Sequence, residues 1–220
     1  MTLKEMKHNI MENSLILEEA VRSVKDLEGF ACQIGIGRGN DSLRILGELP
    51  KDKLLILVDP YGEHEYRTIE DGLPTDKTAD GVKTAYSTLA SLYRQVLSGN
   101  WPYFLYYPME DIEFYEHFQT GIFFYNNGEK SRLNEYCFVH FNAHKNVLNL
   151  LEGIRFFNER MVVGGKWYFE DTDQFNESQH QILDELMDET SMVECDRYED
   201  IIIFEKEEPP SEEEDNDDAE

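Results

Sequence analysis

The most constraining feature of this chain is how little separates its last two apolar runs. Met192–Cys195 and Ile201–Phe204 are divided only by Asp196–Asp200. Five residues cannot carry a helical crossover, so this pair must be an antiparallel hairpin. Everything upstream reads differently. Short apolar runs at Gly29–Ile34, Leu54–Val58, Tyr103–Tyr107, Tyr136–Phe141 and Gly165–Glu170 alternate with stretches of helical period. Leu54–Val58 is apolar throughout, as a strand covered on both faces should be. Leu17, Ala20, Val21, Val24 and Leu27 share one face of an opening helix. Asn40, Asp41 and Ser42 are N-cap candidates for a short helix reaching about Leu49. Further helices fit Asp80–Leu97, Ile112–Phe118 with Asp111 as cap, Val147–Phe157 and Glu177–Thr190. Gly121–Gly128 is compatible with a small extra strand and turn, and Gly164-Gly165 with a turn between helix and strand. Strands alternating with helices predict a parallel sheet covered on both faces. The expected fold is α/β: a doubly wound, mostly parallel seven-stranded sheet closed by a C-terminal antiparallel hairpin.

Composition narrows the partners. With 46 acidic and 20 basic residues the formal charge is −26. The tail from Glu207 to Glu220 holds nine acids and no base, and it is expected to be disordered. Residues 1–206 are then one domain, with 1–28 as a helical lead-in. A surface this acidic repels phosphate backbones and anionic lipid, so neither nucleic acid nor membrane is an expected partner. No run approaches the roughly 20 apolar residues of a membrane span, and the first nine residues contain no apolar leader core. Cys32, Cys137 and Cys195 lie scattered in apolar or strand-like runs and read as buried free thiols. A reducing, cytoplasmic setting is expected.

In a doubly wound sheet the ligand lies beyond the carboxyl ends of the strands, where the strand order reverses. Those ends carry Gly35-Ile36-Gly37-Arg38-Gly39, then Asp59-Pro60, Glu110-Asp111, Asn142 to His144, and Glu170-Asp171. The glycine turn lets backbone approach a ligand and opens a helix N-terminus beside it. Asp59 ends the next strand, 24 positions after Gly35, where an acid can accept both hydroxyls of a ribose. Asp59-Pro60-Tyr61-Gly62 is also good turn chemistry, so a purely local role stays open.

These segments resemble class I S-adenosylmethionine-dependent methyltransferases, with closest similarity to the macrocin O-methyltransferase type of small-molecule and sugar O-methyltransferases. The resemblance runs from about Gly29 to Lys206 and lies in the order and spacing of QIGIGRG, LVDPYG, the stretch YCFVHFNAHKN to YFEDTD, and the final hairpin. It implies a Rossmann-like methyltransferase fold and S-adenosylmethionine as cofactor. By that resemblance Gly35, Ile36, Gly37 and Gly39 would line the amino-acid end of the cofactor, Asp59 with Pro60 the ribose, and Glu110 or Asp111 the adenine. Two positions depart from the family pattern. Gln33 stands where an acid is usual two residues before the first glycine, and Asn142 stands where the fourth strand usually ends in Asp. Asn142, Glu170 and Asp171 could form an oxygen-ligand Mg²⁺ site with one charge fewer, or the site could work without metal.

Methyl transfer from a sulfonium is an in-line displacement, so the protein mainly positions the reactants. A hydroxyl acceptor also needs help in losing its proton. His144 is the candidate base, with Asn142 and Asp171 beside it, although a histidine at a helix start can also serve only to hydrogen-bond locally. His140, inside the strand, reads as a satisfied core residue. The rival readings are a non-catalytic module that keeps the fold, and a nicotinamide-dependent oxidoreductase. The latter needs a third fingerprint glycine where this chain has Asn40.

Overall fold

The computed structural model describes residues 3–60, 78–99, 102–126, 129–142 and 147–208. In chain order the elements are α1 (Leu3–Ser23), β1 (Phe30–Ile34), α2 (Asn40–Glu48), β2 (Leu54–Val58), α3 (Thr78–Leu97), β3 (Tyr103–Tyr107) and α4 (Asp111–His117). They continue with β4 (Ile122–Asn126), β5 (Glu129–Leu133), β6 (Tyr136–Phe141), α5 (Val147–Asn158), β7 (Met161–Glu170), α6 (Glu177–Glu189), β8 (Met192–Arg197) and β9 (Ile201–Lys206). Seven strands form one sheet in the order β3-β2-β1-β6-β7-β9-β8. The first five in that order pair in parallel. β9 is antiparallel to both β7 and β8, as the short connection before it demanded. The strand order reverses between β1 and β6, so the switch point lies at the carboxyl ends of those two strands.

Both faces of the sheet are buried, which explains why its central strands are apolar at consecutive positions. Cys32, Ile34, Val139, Phe141, Trp167 and Phe169 pack on one side against Phe114, Leu150, Ile154, Phe157 and Leu183 of α4, α5 and α6. Ala31, Leu55, Leu57, Phe138 and Tyr168 pack on the other side against Leu17, Val21, Ile45, Leu46 and Leu92 of α1, α2 and α3. Each fully buried Leu, Ile or Phe contributes about 2 kcal/mol, set against the chain entropy lost on folding.

Several expectations need correction. Glu110, not Asp111, is the N-cap of α4, and Asp111 is its first helical residue. Gly164 and Gly165 lie within β7 rather than ahead of it. Gly164 has φ +77°, and the pairing with β6 slips between Tyr136 and Phe138, so the strand bulges there instead of turning. The ambiguous stretch after Gly121 is a hairpin: β4 pairs antiparallel with β5, a polar strand that carried no apolar signal. Cys32 and Cys137 are buried, but Cys195 is exposed, as is every residue of the edge strand β8 after Met192. His144 and the tail beyond Glu208 lie outside the described residues. Among the described residues no helix is long and apolar enough to cross a membrane.

Candidate functional site

β1 runs into a glycine turn at the edge of its pairing with β2. The Gly35 N–H donates to the Val58 carbonyl at 2.9 Å, and the Gly39 N–H to the Ile36 carbonyl at 2.8 Å. Gly35, Gly37 and Gly39 all have positive φ, at 81°, 53° and 75°. Gly39 is the N-cap of α2 in the left-handed region, a conformation open to glycine at little cost. A Cβ there would also collide with the Thr88 methyl group on α3. Above Gly37, by contrast, a Cβ would meet nothing within 4 Å. The turn is tight underneath and open outward.

Buried polar side chains hold it. Gln33 is wholly buried, and its amide nitrogen donates to the Gly35 carbonyl at 3.0 Å while its oxygen accepts the Ser42 hydroxyl at 2.6 Å. Both ends of the Gln33 amide are thus engaged inside the fold. The Thr88 hydroxyl donates to the Arg38 carbonyl at 3.2 Å. From β2, Asp59 reaches back to the turn: its Oδ2 accepts the Ile36 N–H at 2.8 Å and the Gly37 N–H at 3.3 Å. Asp59 is only 5% exposed. Its own N–H donates to the Tyr107 carbonyl, and its carbonyl accepts the Tyr106 hydroxyl at 2.9 Å. Pro60 beside it is buried.

At the end of β3, Glu113 accepts the Glu110 N–H at 3.2 Å, one arm of a capping box at the start of α4. Asp111 is buried and accepts the Ile112 N–H at 2.8 Å and the Asn149 side-chain amide at 2.7 Å. Burial pushes its carboxyl above the ordinary 3.8, against the pull of those two donors. Asp111 therefore ties α4 to α5.

The ends of β6 and β7 form a second polar group. His140 is fully buried, with Nε2 3.1 Å from Glu170 Oε2. Burial works against ionisation of Glu170, but the hydrogen bond and charge of His140 outweigh it and hold the carboxyl below its ordinary 4.5. Among the described residues His140 Nδ1 has no hydrogen-bond partner. Asn142 donates its backbone N–H to the Ile34 carbonyl at 2.9 Å and its side-chain amide to Asp41 Oδ2 at 3.5 Å. Burial raises the Asp41 carboxyl, with His140 pulling the other way and Glu170 adding to the rise. Asp171 follows with φ 57° and stands exposed. Among the described residues no three His, Cys, Asp or Glu side chains are grouped to hold a metal ion. Of the Asn142–Glu170–Asp171 set, Glu170 is turned onto His140 and Asn142 onto Asp41.

The fold thus brings Gln33, the glycine turn and Asp59 into one constellation, and gathers Asn142 and Glu170 along the neighbouring rim. Asp41, Ser42, Thr88 and His140 were missed as site residues. His140 lies two residues before Asn142, which follows the last residue of β6, so its nearness to the rim could be read from spacing alone. Thr88, on a helix about fifty residues downstream, left none.

No protein-family model and no curated protein matches this sequence. Solved structures do match in shape. The O-methyltransferase NovP aligns with a TM-score of 0.57 and 12% identity over 89% of this chain and 80% of its own. An rRNA methylase from Streptococcus thermophilus aligns at 0.53 and 13%, covering 88% and 95%. The O-methyltransferase TomG from Streptomyces achromogenes, in complex with S-adenosylmethionine, aligns at 0.50 and 9%, covering 90% and 80%. At these identities the likeness is one of fold: the chain has the Rossmann-like fold of methyltransferases, hairpin included.

Proposed function

We propose that the chain is an S-adenosylmethionine-dependent methyltransferase acting on a hydroxyl of a small molecule or sugar. The observation that carries this reading is the meeting of Asp59 with the glycine turn beside the switch point of the sheet. The residues present fit such a cofactor: the space above Gly37 is open, and an acid ends β2. Gly35, Ile36, Gly37 and Gly39 would hold its amino-acid end, Asp59 and Pro60 its ribose, and Glu110 with Asp111 the adenine side. When bound, the cofactor supplies an electrophilic methyl on a cationic sulfur. The chain's own part is to orient and to take a proton. Asn142, Asp171 and the Glu170 carboxylate held by His140 would line the acceptor side, with His144 as the base. The formal charge of −26 favours a small acceptor over a nucleic acid. Calorimetry with S-adenosylhomocysteine, with and without Mg²⁺, tests the reading, alongside a thermal-shift comparison with NAD(H). Binding of S-adenosylhomocysteine supports it; stabilisation by NAD(H) alone overturns it.

A second reading, a binding module without turnover, is favoured by one observation. Gln33 is neutral and fully engaged inside the fold, so it offers no charge to the cofactor's ammonium group. Release of S-adenosylhomocysteine during incubation with candidate hydroxyl acceptors would exclude it.

A further inference from the structure

A glycine turn that runs into a helix N-terminus is a ready anion site, because its N–H groups converge and the helix dipole points positive charge outward. In nucleotide-binding sheets that anion is a phosphate of the ligand. Here four of the turn's N–H groups are already engaged. Those of Ile36 and Gly37 donate to Asp59 Oδ2, that of Gly35 to Val58 and that of Gly39 to Ile36. Moving the Asp59 carboxylate aside would break both of its hydrogen bonds to Ile36 and Gly37 at a side chain that is buried. A second acid, Asp41, lies in the first turn of α2. The one basic side chain of the turn, Arg38, is solvent-exposed, where its charge is largely screened.

Resting on the S-adenosyl reading above, we propose that Asp59 is a specificity residue. Its carboxylate occupies the place of a ligand phosphate on the glycine turn, which restricts the site to nucleosides that carry no phosphate there. The turn has the geometry of an anion nest and supplies its own anion. A dinucleotide or nucleoside diphosphate would have to set a phosphate against that carboxylate in a buried setting, where like charges repel strongly. The amino-acid end of an S-adenosyl ligand also carries a carboxylate, but its own ammonium group neutralises it, so the net repulsion is far smaller than for a phosphate.

The test is calorimetry on the full chain with S-adenosylhomocysteine, ADP and NAD⁺, for the wild type, Asp59→Asn and Asp59→Ala. All three ligands share the adenosine, so loss of a ribose contact cancels in the ratio of affinities. The wild type is expected to bind S-adenosylhomocysteine and to give no saturable heat with ADP or NAD⁺. Asp59→Asn should move the ADP-to-S-adenosylhomocysteine preference at least tenfold toward ADP, and Asp59→Ala at least as far. An unchanged ratio in folded variants, or wild-type affinity for ADP equal to that for S-adenosylhomocysteine, overturns the proposal. A wild type that binds none of the three ligands counts against the S-adenosyl reading, while the variants' gain or lack of ADP binding still decides the phosphate proposal. A measurement needing no variant stands beside it: the ¹⁵N-labelled wild type titrated with inorganic phosphate. The Ile36 and Gly37 amide signals should stay in place, and a saturable shift at those amides would also refute the idea.

Discussion

The two halves of the carboxyl rim are built in opposite ways. On the β1–β2 side five side-chain hydrogen bonds hold the turn: Gln33 with Gly35 and Ser42, Thr88 with Arg38, Asp59 with Ile36 and Gly37. On the β6–β7 side the side-chain bonds are fewer, and one of them is long. His140 is buried with one ring nitrogen unpartnered among the described residues, and Asn142 reaches Asp41 only at 3.5 Å. A satisfied network rigidifies, whereas polar capacity left over inside a fold raises its free energy unless a ligand or moving group uses it. The first half is a preformed cradle. The second keeps polar capacity that a ligand could use.

The largest test of this contrast is Gly39→Ala. It forces a side chain into a left-handed position and against the Thr88 methyl, so urea unfolding should show a loss of about 3 kcal/mol, combining backbone strain and overpacking. His140→Ala should cost about 2–3 kcal/mol through a cavity and a Glu170 carboxylate stripped of its donor. If the second half holds more slack, the loss should not exceed that of Gly39→Ala. Gln33→Glu installs the acid usual in the resembled family, but beside the Gly35 carbonyl and without the donated hydrogen bond. We expect a loss of about 2 kcal/mol by thermal or urea denaturation rather than tighter cofactor binding. Gly37→Ala sharpens the contrast within the turn itself. The added methyl meets open space, so only the left-handed backbone cost of about 1 kcal/mol should appear.

The smallest expected effect concerns pH. Asp111 has a folded pKa raised above its ordinary 3.8, chiefly by burial. The folded state then binds the proton more tightly than the unfolded state, so this group's contribution falls as pH rises from below 3.8 through the raised folded value. Asp111→Asn should flatten that part of the stability–pH curve, as measured by denaturant midpoints at closely spaced pH values. An unchanged slope would mean that the donors Ile112 and Asn149 offset the burial in full.

How much of this was readable beforehand follows a physical line. The central strands were legible because both faces of the sheet are buried and leave uninterrupted apolar runs, as at Leu54–Val58. The glycine turn was legible because positive φ demands glycine locally. β5 was not, since Glu129-Lys130-Ser131-Arg132-Leu133 pairs only with β4 and lies outside the main sheet. The bulge at Gly164-Gly165 reads as a turn in the sequence because glycine marks an unusual backbone without saying whether the strand ends there. Its place inside an apolar strand makes His140 read as a satisfied core residue. Whether a buried ring nitrogen finds a partner depends on β7 and α2, which lie far off in sequence.

By itself, then, the sequence determined the alternation of elements, the antiparallel close, and an acid placed to face a glycine turn, because each depends on neighbours in the chain or on pattern along it. Only the tertiary structure decided that Asp59 hydrogen-bonds the turn, that Gln33 is used up inside the fold, and that Asp41, His140, Asn142 and Glu170 share one rim. Those outcomes turn on which hydrogen-bonding groups meet across separate strands and helices, and a hydrogen bond between such elements depends on distance in space and leaves no trace in spacing along the chain.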